Sequence, residues 1–158
     1  VSFAGQNYGA SKYRRIGKTA LICEVSVIVV GFGLSMILFA LSPKLLTLYS
    51  TESDVIQFGI KRLSVICTTY FLCGMMDVMV GALRGIGYSV LPMIVSLLGA
   101  CGLRLLWIAT IFQIPQYHSP EVIYLSYPVS WAITFLTHII CFAITKHLLD
   151  KRTALAEV

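Results

Sequence analysis

Charge is what this sequence has least of. Lys, Arg, Asp and Glu supply 12% of its 158 residues and hydrophobic residues 58%, whereas soluble domains carry roughly 25% charge. A water-soluble globule of this composition would have no polar surface to present, so the soluble classes are excluded. The net charge of +5 sits at segment ends rather than in a patch, which excludes a phosphate-reading nucleic-acid surface. No CxxC is present. The five cysteines (Cys23, Cys67, Cys73, Cys101, Cys141) all fall in apolar stretches at no metal-ligand spacing, so they read as small packing residues. His118, His138 and His147 are too far apart for one helical metal face, and His138 reads as a hydrogen-bonded packing residue. No serine or cysteine has a partner base at recognisable spacing, so no enzyme is expected. Ile16-Gly17-Lys18-Thr19 resembles the end of a phosphate-binding loop, but the required first glycine falls on Lys12. There is no initiator Met and no signal-peptide pattern at Val1.

What is present is a set of long apolar runs. Residues 25–43 hold no charge. Residues 63–76 are also uncharged and continue apolar to 83 after Asp77. Runs at 85–103 and 122–145 complete the set. A bilayer core about 30 Å thick needs roughly 20 apolar residues at 1.5 Å each. The expected fold is all-α, a polytopic transmembrane helix bundle with four full spans, at about 16–41, 54–84, 89–112 and 120–149, after the tail of a preceding helix in residues 1–10. Residues 11–158 then form one four-span unit of something larger. Ser42-Pro43 should end the first span, because a residue before proline avoids the α region, leaving an amphipathic linker at 44–50. The cap-rich 50–54 segment starts the second span. Two glycines make 84–89 a tight turn, Ser89 can cap the third span and Pro92 fits its first turn. Ser119-Pro120-Glu121 is a strong start for the fourth. Pro128 should kink that span or lie near its outer end, and a polar tail follows from Asp150 to Val158.

Orientation follows from the basic residues. With the Lys12 loop inside, the inner side holds Lys12, Arg14, Arg15, Lys18, Arg84, Lys146, Lys151 and Arg152, and the outer side holds Lys44, Lys61 and Arg62. Both ends are then cytoplasmic.

Three ionisable groups fall inside spans: Glu24, Asp77 and Arg104. Each costs about 2.5–3.5 kcal/mol at a helix centre on insertion scales, and such residues face a bundle interior or a watery cavity. Counting at 1.5 Å per residue puts Asp77 about 10 Å, Glu24 about 12 Å and Arg104 about 22 Å from the inner turns. Asp77 and Glu24 share a layer, and a direct Asp77–Arg104 salt bridge is not expected. Asp77 and Glu24 are candidates to line an aqueous cavity, where two acids at one depth in low dielectric compete for charge. Met75, Met76 and Met79 are candidates for a pliable wall beside them, and Arg104 is a candidate that binds backbone carbonyls or reaches the outer interface. Gly5-x-x-x-Gly9 and Gly81-x-x-x-Gly85 let backbones touch in lipid.

Gly5-Gln6-Asn7-Tyr8-Gly9-Ala10-Ser11-Lys12 resembles the G-Q-x-x-G-A-x-x motif of the MATE (multidrug and toxic compound extrusion) transporters. Gly81-Ala82-Leu83-Arg84-Gly85-Ile86-Gly87 resembles the family's G-x-L-R-G-x-G turn, with Pro92 following as the family has it. The resemblance spans nearly the whole chain. It implies twelve helices in two six-helix lobes around a central cavity, of which this chain is similar to the end of helix 8 through helix 12. It further implies efflux of small cationic or amphipathic compounds by sodium or proton antiport with alternating access, in the plasma membrane. The first lobe and the lipid bilayer are the implied partners. No cofactor, metal or nucleic acid is implied, and the coupling-ion site lies mostly outside this part of the protein. Where some sodium-coupled members carry an acid one turn before the Asp77 position, this chain has Cys73. A wider superfamily of the same architecture includes flippases of lipid-linked oligosaccharide precursors, which is the alternative reading.

Overall fold

A computed structural model describes residues 1–156 of the chain, and these are helical throughout with no strand. A short α1 (Ser2–Gly9) is followed by two long helices, α2 (Tyr13–Thr47) and α3 (Ser53–Gly85). The third apolar run is divided into α4 (Val90–Ser96), a π-helical turn over Leu97–Gly102, and α5 (Leu103–Ala109). Two 3₁₀ turns (Ile111–Gln113 and Pro115–Tyr117) then lead into α6 (Pro120–Ala156).

Four stretches are long and apolar enough to cross a membrane: Tyr13–Thr47, Ser53–Gly85, Val90–Gln113 and Pro120–Lys151. Burial is inverted relative to a water-soluble fold. Leu21, Ile22, Val29, Leu97, Leu98 and Ile140 are exposed, while Ser35, Ser42, Ser126, Ser130, Thr134 and His138 are buried. In water, that arrangement would forfeit the hydrophobic driving force. In hydrocarbon, small and polar groups are the ones that gain by facing other helices.

The helices depart from the sequence expectation in three places, at two ends and within the third run. Helix α2 runs through Pro43 to Thr47 instead of stopping at Ser42. Proline removes only the N–H that would have bonded the Phe39 carbonyl, a loss tolerated near a helix end. The 44–50 linker is correspondingly reduced. Helix α6 passes through Pro128 without interruption and continues to Ala156, so the polar tail begins as helix. Its Lys, Arg, Leu and Ala residues are all good helix formers. Residues 157–158 of that tail, and the side chain of Arg152, lie outside the described residues. The π-helical turn in the third run has no counterpart in the sequence reading.

Two helices stop by the same device. After α3, the Tyr88 N–H bonds the Leu83 carbonyl and the Gly87 N–H bonds that of Arg84, with Gly87 at φ +95°. After α1, the Lys12 N–H bonds the Asn7 carbonyl and the Ser11 N–H bonds that of Tyr8, with Ser11 at φ +56°. Both are Schellman closures, in which one left-handed residue lets the chain reverse and satisfies the last carbonyls. The two turns lie at one end of the bundle, where Ala4, Ile16, Leu83, Ile86 and Leu149 form a buried cluster joining α1, α2, α3 and α6. Lys146 reaches Gly17 at this end. The basic residues of the Lys12 loop, Arg84 and Lys146 are thereby gathered together. The opposite end is tied by Lys61 Nζ to Glu121 Oε1 at 3.5 Å.

Small residues set the helix spacing. A Cβ on Gly85 would lie 2.5 Å from Ala4 Cβ and 3.0 Å from the Gly5 nitrogen, so α1 and α3 touch backbone to backbone. Gly81 lies against Val1, whereas Gly9 faces open space. Gly31 rests on Phe71, and Gly74 makes room for Val27, which fixes the antiparallel register of α2 against α3.

Candidate functional site

The most polar interior of the bundle is a seam where the third run packs on α6. On α6, Tyr127, Ser130, Trp131, Thr134 and His138 recur at spacings of three and four, so they share one helical face. Among them Ser130, Thr134 and His138 are almost wholly buried. Thr134 Oγ1 satisfies itself on the Ser130 carbonyl at 2.6 Å, and Ser130 Oγ donates to the Tyr127 carbonyl at 2.9 Å. These local bonds hold hydroxyls inside an apolar bundle without leaving them unpaired.

The facing helix reaches this row at three levels. Ser96 Oγ pairs with His138 Nε2 at 3.1 Å. Gly99 lies so close to Thr134 that a Cβ there would overlap the hydroxyl. Arg104 Nε donates to Ser130 Oγ at 3.0 Å. Gly99 and Arg104 are five residues apart, which in a regular α-helix places them about 140° apart around the axis, at 100° per residue. The π-helical turn Leu97–Gly102 supplies an i→i+5 repeat that brings both onto α6. Such single π turns cluster at functional sites.

Above the Ser130 bond, the Arg104 guanidinium lies 4.2 Å from the Tyr127 ring centre and 5.4 Å from that of Trp131. Trp131 is held edge-on by Tyr127 at 5.8 Å and by Tyr70 of α3 at 5.9 Å. Tyr70, Cys73 and Asp77 follow at helical spacing on α3. Asp77 is exposed, Tyr70 is half exposed, and Cys73 is half-buried. The seam therefore borders a face of the chain that exposes Asp77 and Tyr70, with Arg104 and Tyr127 half-buried and Trp131 buried behind them.

The other sequence candidates distribute as follows. Glu24 is buried, and neither carboxyl oxygen has a hydrogen-bond partner among the described residues. The Gly31–Phe71 and Val27–Gly74 contacts set Glu24 level with Asp77 and Val78. The two acids thus share a depth, but one is buried and the other exposed, and no hydrogen bond joins them. Met76 and Met79 are buried, with Met79 packed beside Ala20, Ala82, Phe135 and Phe142, while Met75 is half-buried. Two of the three methionines therefore pack inside the bundle rather than beside the exposed Asp77. Arg104 bonds a hydroxyl and two rings rather than backbone carbonyls, and makes no ion pair with Asp77. Gln6 and Arg84 are exposed, and Pro92 is buried. Sequence reasoning did not single out Ser96, Tyr127, Ser130, Trp131 or Thr134. The signal was there, in the 127–130–131–134–138 spacing, and it is carried by neutral groups.

The bundle of apolar helices, its glycine-tight α1–α3 junction and its polar seam define a multi-pass membrane protein. The MatE family model matches residues 1–110, and the chain belongs to that family, whose members are membrane transporters of small substrates and not enzymes. It is 21% identical over 136 residues to the probable multidrug resistance protein YoeA of Bacillus subtilis (strain 168). That match covers 85% of this chain and 29% of the relative, so the chain spans under a third of the length of the curated relative it matches.

Proposed function

We propose that this chain is the end of helix 8 through helix 12 of the second lobe of a multidrug efflux transporter, exporting small cationic or amphipathic compounds by antiport with sodium or protons. The observation that carries this reading is the exposed face of α3 and α6. Asp77, Cys73 and Tyr70 stand on it, with Trp131 buried behind Tyr70, at a depth where only a cavity makes polar groups tolerable. An acid among aromatic rings suits organic cations, which bind ring faces and carboxylates together. Glu24, buried at the same level, is the second ion-handling candidate, and Met75 lies two residues before Asp77 on the same helix. The basic end, with the Lys12 loop, Arg84 and Lys146, belongs in the cytoplasm by the positive-inside rule, and the host membrane is the plasma membrane.

The test is export by the full-length protein that contains this chain. Cells lacking their own efflux pumps, loaded with ethidium, should lose dye faster when it is expressed. Collapsing either the sodium or the proton gradient should stop that loss. Asp77→Asn should slow export several-fold or change its dependence on the gradient. Dye retention equal to that of empty cells would reject efflux, and wild-type export by Asp77→Asn would remove Asp77 from the mechanism.

A further inference from the structure

Arg104 is a cation at membrane depth with no anion beside it among the described residues. It stands roughly 22 Å from the inner turn at 1.5 Å per residue, in the outer half of the third run and well inside the hydrocarbon. Among the described residues no carboxylate pairs with it. Its single hydrogen bond uses Nε, leaving both terminal amino groups without an acceptor. Yet it is not loose. Ser130, itself buried and anchored on the Tyr127 carbonyl, fixes one edge. The rings of Tyr127 and Trp131 cover its face, and Tyr70 braces Trp131 from α3. The π-helical turn aims it at this spot. A guanidinium held by its Nε edge and its face presents its two amino groups outward as a fork, the geometry that matches a planar or tetrahedral oxyanion.

We infer that Arg104 is an anion-recognition point on the second lobe, receiving the sulfonate, carboxylate or phosphate group of an amphiphile whose aromatic or apolar body lies along Tyr70 and Tyr127, in front of the buried Trp131. The inference rests on the transport reading above and assigns Arg104 the contact with the anionic end of a substrate. The ring faces turned to Arg104 are already engaged by a cation, so a second positive charge is disfavoured there. The exposed acid Asp77, further along α3, suits the cationic end of a zwitterion.

The test uses the purified full-length protein in detergent and three probes of one shape: 2-naphthalenesulfonate, neutral 2-naphthalenesulfonamide, and a naphthylmethyl-trimethylammonium ion. Equilibrium dialysis should give at least a tenfold preference for the sulfonate over the sulfonamide. Arg104→Gln should reduce that preference to under twofold while leaving sulfonamide affinity unchanged, and Arg104→Lys should retain part of it. The wild-type preference needs no variant, so a poorly folding Arg104→Gln leaves the idea exposed to failure. The ammonium reports on the acid Asp77 and is expected to be indifferent to Arg104→Gln, whereas equal wild-type affinity for the sulfonate and the sulfonamide overturns the inference. So does a loss of all three probes together in Arg104→Gln, which would make Arg104 a packing residue or the partner of an acid elsewhere in the protein. Repeating the measurement in nanodiscs separates the sources of the anion. Sulfonate binding in phosphatidylcholine that is abolished in phosphatidylglycerol assigns the site to the headgroup of an anionic lipid. Binding in both assigns it to a soluble compound. Ethidium export by the same preparation in vesicles judges the transport reading independently. Export without sulfonate preference sinks only the anion site, and preference without export sinks only the efflux reading.

Discussion

At the residue scale, the two left-handed positions that close α1 and α3 are filled differently. Gly87 has no Cβ and adopts φ +95° freely, whereas Ser11 holds φ +56° with a side chain. A left-handed L-residue costs roughly 1–2 kcal/mol relative to glycine, partly offset by glycine's larger entropy when unfolded. Ser11→Gly should therefore raise the thermal stability of the detergent-solubilised full-length protein by about 0.5–1 kcal/mol, and Gly87→Ala should lower it by about 1 kcal/mol. Opposite shifts in melting temperature check both; equal shifts in one direction would mean that neither turn is set by its dihedral. Gly85 is constrained by space rather than by angle. Any Cβ there meets Ala4 and the Val1 carbonyl, so Gly85→Val should detach α1 from α3. The expected cost is about 1–3 kcal/mol, the usual penalty for overfilling a tight contact, read as reduced folded yield and impaired export.

Elements explain why the sequence revealed the spans and concealed the seam. Runs such as 25–43 and 122–145 declare themselves because lipid demands length and apolarity from every residue in turn, a property readable one position at a time. The two small-residue motifs were legible for a similar reason, since small residues four apart mark close helix approach in hydrocarbon, but which glycines meet was not: Gly5 meets Gly85, while Gly9 faces open space. The π-helical turn was not legible. Leu97–Gly102 is apolar and glycine-bearing like any span interior, and what favours the extra residue is the placement of Ser96, Gly99 and Arg104 on α6. Asp77 and Glu24 were visible as charges, but whether each faces in or out depends on α2–α3 register, which Gly31 and Gly74 fix together. The docking of the π turn is testable as a pair. Gly99→Ala should destabilise by about 1–3 kcal/mol through overlap with Thr134. In a Thr134→Ala background the penalty should shrink, because the overlapping hydroxyl and methyl are gone. A coupling energy near zero in this double-mutant cycle would show that α4–α5 does not rest on α6 through Gly99.

For the whole molecule, the decisive asymmetry is charge at the two ends. Lys12, Arg14, Arg15 and Lys18 adjoin Arg84 and Lys146 where α1, α2, α3 and α6 converge, while the far end carries the compensated pair of Lys61 and Glu121. The membrane reads such an excess of Lys and Arg in short loops as the cytoplasmic side, and the short 86–89 turn forces α3 and α4 to opposite directions. A cytoplasmic placement of this end is therefore expected from the folded arrangement and not from any one loop. Cysteine scanning of the full-length protein in intact cells tests it, with the native cysteines replaced by alanine. An impermeant maleimide should label Ser119→Cys, in the loop between the 3₁₀ turns and α6, and should spare Ser11→Cys until the cells are opened. The reverse pattern would invert the bundle. Arg104 and the Trp131 platform would then lie nearer the cytoplasm, and the polar face would first meet substrate from the opposite side.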